Sequence, residues 1–158
     1  MKIFFDTEFI EDGVTIDLLS IGLVKENGDS IYMESSEADH SKASQWVKEN
    51  VLPQLGKQKR EFTRPEIRSE ILKFVGAEKP EFWAYYADYD WVAFCQLFGT
   101  MMDLPKGWPM YCRDIKQLCD SMGNPRLPKQ KEGHHNALQD AAWNLHAYQF
   151  LTGAKNEK

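Results

Sequence analysis

The stretch KIFFD, residues 2–6, is apolar without alternation and stops abruptly at Asp6. A strand with one wet face alternates apolar and polar residues, so an uninterrupted apolar run belongs to a central strand covered on both faces. Asp12-Gly13 then signals a turn, and residues 14–24 (VTIDLLSIGLV) are rich in Val, Ile and Leu. Asn27-Gly28 suits a tight hairpin into SIYMES, which completes a three-stranded antiparallel meander. From about Ser41 the period becomes helical: Ala43, Trp46, Val47 and Val51 share a stripe, with Pro53 near its end.

A basic connection, GKQKREFTR, leads to Pro65 at a first helical position, and Ile67, Ile71, Leu72 and Val75 form one face of a helix that Gly76 ends. EFWAYY reads as a strand, followed by a helix from about Tyr89 to Phe98 that Gly99 stops. WPMYCRD supplies a last strand before the helix DIKQLCDSM, and the prolines and glycines of residues 123–133 make a loop. The final helix carries Leu138, Ala141, Leu145 and Tyr148 on one stripe. Strands first and alternating helix and strand afterwards define an α/β domain with a mixed sheet, antiparallel at its N-terminal strands and flanked by helices. We expect one domain over residues 1–152 and a frayed tail over residues 153–158.

A chain of 158 residues with 42% hydrophobic and 27% charged side chains fits one globular core. It contains no apolar run near the roughly 20 residues of a membrane helix, and acids come too early for a signal peptide, so a soluble, unexported protein without a membrane partner is expected. Cys95, Cys112 and Cys119 lack metal-site spacing and lie in apolar segments, which suits a reducing cytoplasm. The net charge of -5 argues against a general nucleic-acid coat but conceals segregation. Residues 1–39 hold 2 basic and 10 acidic side chains, whereas residues 40–75 hold 8 and 4.

Asp6 and Glu8 are the first chemical candidates, because residues i and i+2 of a strand share a face. With 11 Asp and 13 Glu in the chain, chance supplies about 0.9 such spacings, so position carries the argument. Two like charges at the end of a buried strand are costly unless paired or bound to a cation. His135 and Asp140 form a second set. Asn136 as N-cap, with Gln139 three residues on, leaves His135 in the loop and Asp140 in the first helical turn. The plainer reading is a surface histidine beside a cap and an acid that compensates the helix dipole; His134 reads as exposed. In YYADYDWVAF, Asp88 has the makeup of an N-cap and Asp90 falls in the first turn, with the surrounding aromatics assigned to the core. Together these residues are the parts of two-metal phosphodiester hydrolysis: oxygen ligands for magnesium or manganese and an imidazole for the water proton.

DTEF at 6–9, YD at 89–90 and HNALQD at 135–140 resemble the three motifs of the DEDDh (DnaQ-like) 3′-5′ exonucleases, which have a ribonuclease H-like fold. The longer segments DTEFIEDGVTIDLLSIGLV, WVKENVLPQL and FWAYYADYDWVAFCQLFG are similar to the RNase AS exoribonuclease family, which acts on adenylated RNA. The resemblance implies that Asp6 bridges two divalent cations, Mg2+ or Mn2+. Glu8 and Asp140 would complete the first site, Asp90 would hold the second, and His135 would be the general base. It further implies a single-stranded RNA 3′ end against Thr7 and Phe9, and a homodimer. Many relatives have Asn where this chain has Tyr86. The basic residues Lys57, Lys59, Arg60, Arg64 and Arg68, together with Arg126, Lys129 and Lys131 before His135, would guide phosphates. Two other function classes fit the sequence: a catalytically silent RNA- or protein-binding module, and a phosphohydrolase of short oligonucleotides or small molecules.

Overall fold

The computed structural model describes residues 1–153; the tail expected to fray lies, apart from Gly153, outside the described residues. Five strands form one sheet: β1 (Lys2–Glu11), β2 (Ile16–Lys25), β3 (Ser30–Glu34), β4 (Glu81–Ala84) and β5 (Arg113–Asp114). Their order is β3-β2-β1-β4-β5, with β1–β2 and β2–β3 antiparallel and β1–β4 and β4–β5 parallel. The helices are α1 (Gln45–Asn50), α2 (Arg64–Val75), α3 (Asp88–Gln96), α4 (Ile115–Ser121) and α5 (Ala137–Thr152).

β1 is central, as its apolar run requires, and its alternation feeds two cores. Ile3 and Phe5 point into a cluster with Ile67, Ile71, Phe82 and Phe94 from α2, β4 and α3. Phe4 points the other way, to Trp83, Ile115, Cys119, Ala147 and Leu151. β1 and β4 are paired only over Lys2–Phe4 and Glu81–Trp83. Beyond Phe4 the parallel pairing ends, and Asp6 and Glu8 lie on the part of β1 that continues past it. Ligand sites of α/β sheets form in such crevices, outside the carboxyl ends of the strands.

α2 starts at a capping box: Thr63 accepts from the Glu66 N–H, and Glu66 reaches back to Thr63. Pro65 occupies its second position rather than its first. Two further expectations need correction. Asp88 is not the N-cap of α3; Ala87 takes that place with no side-chain cap. Asp114, two residues into the fifth strand, instead accepts from the N–H groups of Tyr86 (3.1 Å) and Ala87 (3.4 Å) while capping α4. Trp46 is not on a buried stripe of α1 but 54% exposed, because that helix is only six residues long and Ala43 precedes it.

The buried stripe of α5 is Ala137, Ala141, Asn144, Ala147 and Leu151, whereas Leu138, Leu145 and Tyr148 lie at its margins. The reason is close approach. A Cβ on Gly22 would lie 2.5 Å from Leu138 Cα and 2.6 Å from the Ala137 carbonyl oxygen, so only small side chains fit between α5 and the sheet. Cys95 and Cys119 are buried free thiols, and Cys112 is half-buried.

Candidate metal centre

Asp6 pairs across the sheet with Gly22, and Glu8 with Ser20, before a register shift between Glu8 and Phe9. Directly opposed residues share a face, so both carboxylates project beneath the N-terminal turn of α5, which Gly22 admits. Asp140 lies in that turn, and the Asn136 side chain caps it by accepting from the Gln139 N–H. One turn later Asn144, buried, donates from Nδ2 to the Phe5 carbonyl oxygen at 2.9 Å and ties α5 to the strand beside Asp6. Asp90 arrives on α3 and is buried; its Oδ1 accepts from the Thr7 N–H at 3.0 Å and the Thr7 hydroxyl at 2.5 Å.

His135 stands just outside α5 at φ 64°, a left-handed conformation that His tolerates better than most residues. Its backbone N–H donates to Asp140 Oδ2 at 3.1 Å, and its ring meets Trp46 edge-on at 4.8 Å between centroids. Ligand atoms of Glu8, Asp140 and His135 all lie within 4.8 Å of one another. His134 is exposed, its Nε2 3.0 Å from the Gln130 carbonyl oxygen.

Burial raises the proton affinity of all four acids, and like charge adds to it for Asp6, Glu8 and Asp90. Burial drives Asp6 well above the usual carboxylate range, and the charges of Asp90, Glu8 and Asp140 add to it. Burial, then Asp140, pushes Glu8 up to about 8. Burial likewise brings Asp90 to about 7 despite the opposing Thr7 hydrogen bonds, and Asp140 is raised for the same first cause. No ion pair among the described residues reaches any of the four. Asp6 Oδ2 is buried without a hydrogen-bond partner. Converging, unpaired carboxylates with an orphaned buried oxygen fit a hard divalent cation, which takes oxygen ligands.

Thr7 is buried, with its N–H and hydroxyl committed to Asp90, while Phe9 is half-buried and its ring lies 5.9 Å from that of Tyr89. Arg126 and Lys129 are exposed on the loop before His135, and a hollow of about 420 Å³ there is lined by Lys129, Lys131, Trp143 and His146 among others. In the earlier basic segment Arg60 pairs with Glu66 and covers the Phe62 ring, and Arg68 lies over Phe98. Tyr86 takes φ 51°, a left-handed conformation that Asn adopts more readily than Tyr.

Sequence reasoning missed three supports of the site. Gly22 and Asn144 act through contacts between distant segments, and Gln130 donates from Nε2 to Asp140 Oδ1 at 2.7 Å. A glycine inside a strand was the one available sign of close backbone approach.

The mixed sheet order and its flanking helices are those of the ribonuclease H-like fold. Exonuclease I superposes with a TM-score of 0.66 at 11% identity, over 96% of this chain and 40% of its own. This chain therefore spans less than half of that protein. Pop2p of S. pombe, in a Mg2+- and Mn2+-bound form, superposes with a TM-score of 0.55 at 14% identity, over 97% of this chain and 83% of its own. At these identities the likeness establishes the fold. Residues 1–152 match the Rv2179c-like 3′-5′ exoribonuclease domain, and the chain belongs to that family. It is 41% identical over 157 residues to the 3′-5′ exoribonuclease Rv2179c of Mycobacterium tuberculosis, covering 96% of this chain and 94% of the relative.

Proposed function

We infer that this chain is a metal-dependent 3′-5′ exoribonuclease that hydrolyses RNA from its 3′ end and releases nucleoside 5′-monophosphates, with residues 1–152 acting as one catalytic domain. The observation that carries the reading is the convergence of Asp6, Glu8, Asp90 and Asp140 with no ion pair to any of them among the described residues. Asp6, Glu8 and Asp140 would hold one divalent ion, and Asp6 with Asp90 a second. Bound there, Mg2+ or Mn2+ supplies an acidified water and stabilises charge on the leaving oxygen. His135 takes the proton from the attacking water as its oxygen bonds to phosphorus and the bond to the ribose 3′ oxygen breaks.

Thr7 and Phe9 border the position of the terminal nucleotide. Arg126 and Lys129, on the lip of the loop, attract the backbone phosphates. A preference for adenylated RNA and a homodimeric state rest on the resemblance to the RNase AS family. A cytoplasmic location is supported by the RNA substrate and three free thiols; no helix among the described residues is long and apolar enough to cross a membrane.

The test is incubation of 5′-labelled RNA, DNA and dinucleotides with Mn2+ or EDTA. A metal-dependent one-nucleotide ladder on RNA is expected; no cleavage, or cleavage confined to dinucleotides, would overturn the reading. Because His135 lies among possible ligand atoms, His135→Ala separates two roles. As a base it lowers turnover by roughly 10² to 10⁴ while the melting shift induced by Mn2+ persists. Loss of that shift would make it a ligand.

A further inference from the structure

Both oxygens of Asp140 accept a hydrogen bond from the loop that precedes α5. His135 offers its backbone N–H to Oδ2 at 3.1 Å, and Gln130 offers its side-chain amide to Oδ1 at 2.7 Å. Gln130 is half-buried and held on several sides. Its Nε2 also donates to the Glu132 carbonyl oxygen at 3.1 Å, its own carbonyl oxygen meets His134 Nε2 at 3.0 Å, and Trp143 Nε1 donates to the nearby Pro128 carbonyl oxygen at 3.0 Å. An irregular, proline-containing loop thereby delivers one amide to one carboxylate oxygen.

The chemistry of the position is specific. Lys129 and Lys131 flank Gln130 and are exposed, so the loop is rich in cations, yet a neutral donor faces the carboxylate. An ammonium at that place would cancel the charge of Asp140 and substitute for a bound ion. An amide fixes the plane of the carboxylate, occupies one lone pair of Oδ1 and leaves the negative charge intact. Partners of this kind orient ligands and tune metal affinity.

We propose that Gln130 is a positioning residue for the metal site, holding the Asp140 carboxylate in the orientation that accepts a divalent cation. The inference rests on the reading of Asp140 as a metal ligand. Its consequence is a change in metal affinity rather than in chemistry: without the amide, Asp140 must be ordered by the cation itself, while the reacting groups stay in place once metal saturates.

The test uses thermal melts of the full chain across a Mn2+ titration, for wild type, Gln130→Met, Gln130→Ala and Asp140→Asn, with RNA hydrolysis at saturating Mn2+. Methionine keeps roughly the length and volume of the side chain and removes its amide group, including the donor to Asp140. In both Gln130 variants the Mn2+ concentration giving half the melting shift should rise about 10-fold, with KM for RNA unchanged and turnover recovered at high Mn2+. Asp140→Asn should lose most of the shift. If Asp140→Asn loses the shift but Gln130→Met keeps the wild-type midpoint, the inference is overturned and the metal site stands. A raised midpoint in Gln130→Ala alone would assign the effect to packing and also overturn it. If Asp140→Asn retains the wild-type shift, the metal site itself is misassigned and the inference falls with it.

Discussion

The two faces of the sheet are built differently. Against α2 and α3 the sheet packs large rings: Phe5, Phe82, Trp91 and Phe94 lie within 4.8–6.4 Å of one another between centroids. Against the N-terminal half of α5 it packs Gly22, Ala137, Ala141 and Asn144, so that helix lies close and Asp140 reaches Asp6 and Glu8. Bulk on one side secures the fold through apolar burial, whereas thinness on the other lets Asp140 join Asp6 and Glu8, with Asp90 arriving from α3 beside Thr7; four like charges so gathered oppose folding unless protons or a cation join them. The aromatic core thus lies on one face of the central strand, and three of the four acids lie toward the other.

Truncation on the thick side should therefore cost stability first. Phe82, fully buried and in contact with four other aromatic rings, is the strongest case. Phe82→Ala should destabilise by about 3–5 kcal/mol, with the folded fraction keeping its wild-type response to Mn2+. Chemical denaturation with and without Mn2+ measures both. A cost under about 1 kcal/mol would show that the ring cluster does not carry the core.

On the thin side, Gly22→Ala adds one methyl group against backbone atoms 2.5–2.6 Å away, so α5 must move rather than a flexible side chain. Overpacking of this kind costs roughly 1–3 kcal/mol. Turnover should fall out of proportion to that loss, since the displaced turn carries Asp140. Wild-type turnover in Gly22→Ala would break the link between close packing and catalysis.

How far the sequence reveals each side follows from the same contrast. The apolar run of β1, the meander, the stripe of α2 and the loop over residues 123–133 are local patterns, and they emerged within a few residues of their observed bounds. Asp6 and Glu8 followed from strand alternation, and the helix-cap argument located Asp140 and His135. The α5 stripe was misread because leucine periodicity marks where bulk would fit, whereas the true face is selected by a glycine on a strand more than 100 residues earlier. Gln130, Asn144 and the double duty of Asp114 are likewise contacts between segments that no local period encodes. Thr7, marked by its motif, proves to hold Asp90.

The charge gathered in the carboxylate cluster should appear as a pH dependence. Folded-state values raised to about 8 for Glu8 and about 7 for Asp90, with Asp6 and Asp140 also raised, mean that the folded protein retains protons that the unfolded chain releases near pH 4. Their contribution to stability is complete below about pH 4 and is lost as pH rises through 7 to 8. In EDTA the melting temperature should fall from about pH 5 to 8, and Mn2+ should abolish the fall by replacing the protons. Asp12, Asp39 and Asp103, whose values are lowered, act at the acid end outside this window. A melting temperature that is flat or rising in EDTA would mean that the carboxylates do not strain the fold.

The smallest effect separates Asp88 from Asp90, two acids on one helical turn with opposite surroundings. Asp88 is the first residue of α3, exposed and without a cap hydrogen bond, because Ala87 occupies the N-cap position. What remains to it is interaction with the helix dipole, about 0.3–0.5 kcal/mol, below the 0.5–2 kcal/mol of a true N-cap. Asp88→Ala should thus lower the melting temperature by about 1–2 °C and leave turnover unchanged. Asp90 is buried on the inner side of the same turn and grips Thr7 at the edge of the carboxylate cluster. Its alanine variant should stay folded, relieved of one like charge, and lose turnover. Paired melts and RNA hydrolysis at saturating Mn2+ compare the two directly. An inactive Asp88 variant beside an active Asp90 variant would move the metal centre off the buried edge of the sheet, leaving the Thr7–Asp90 contact as structural support only.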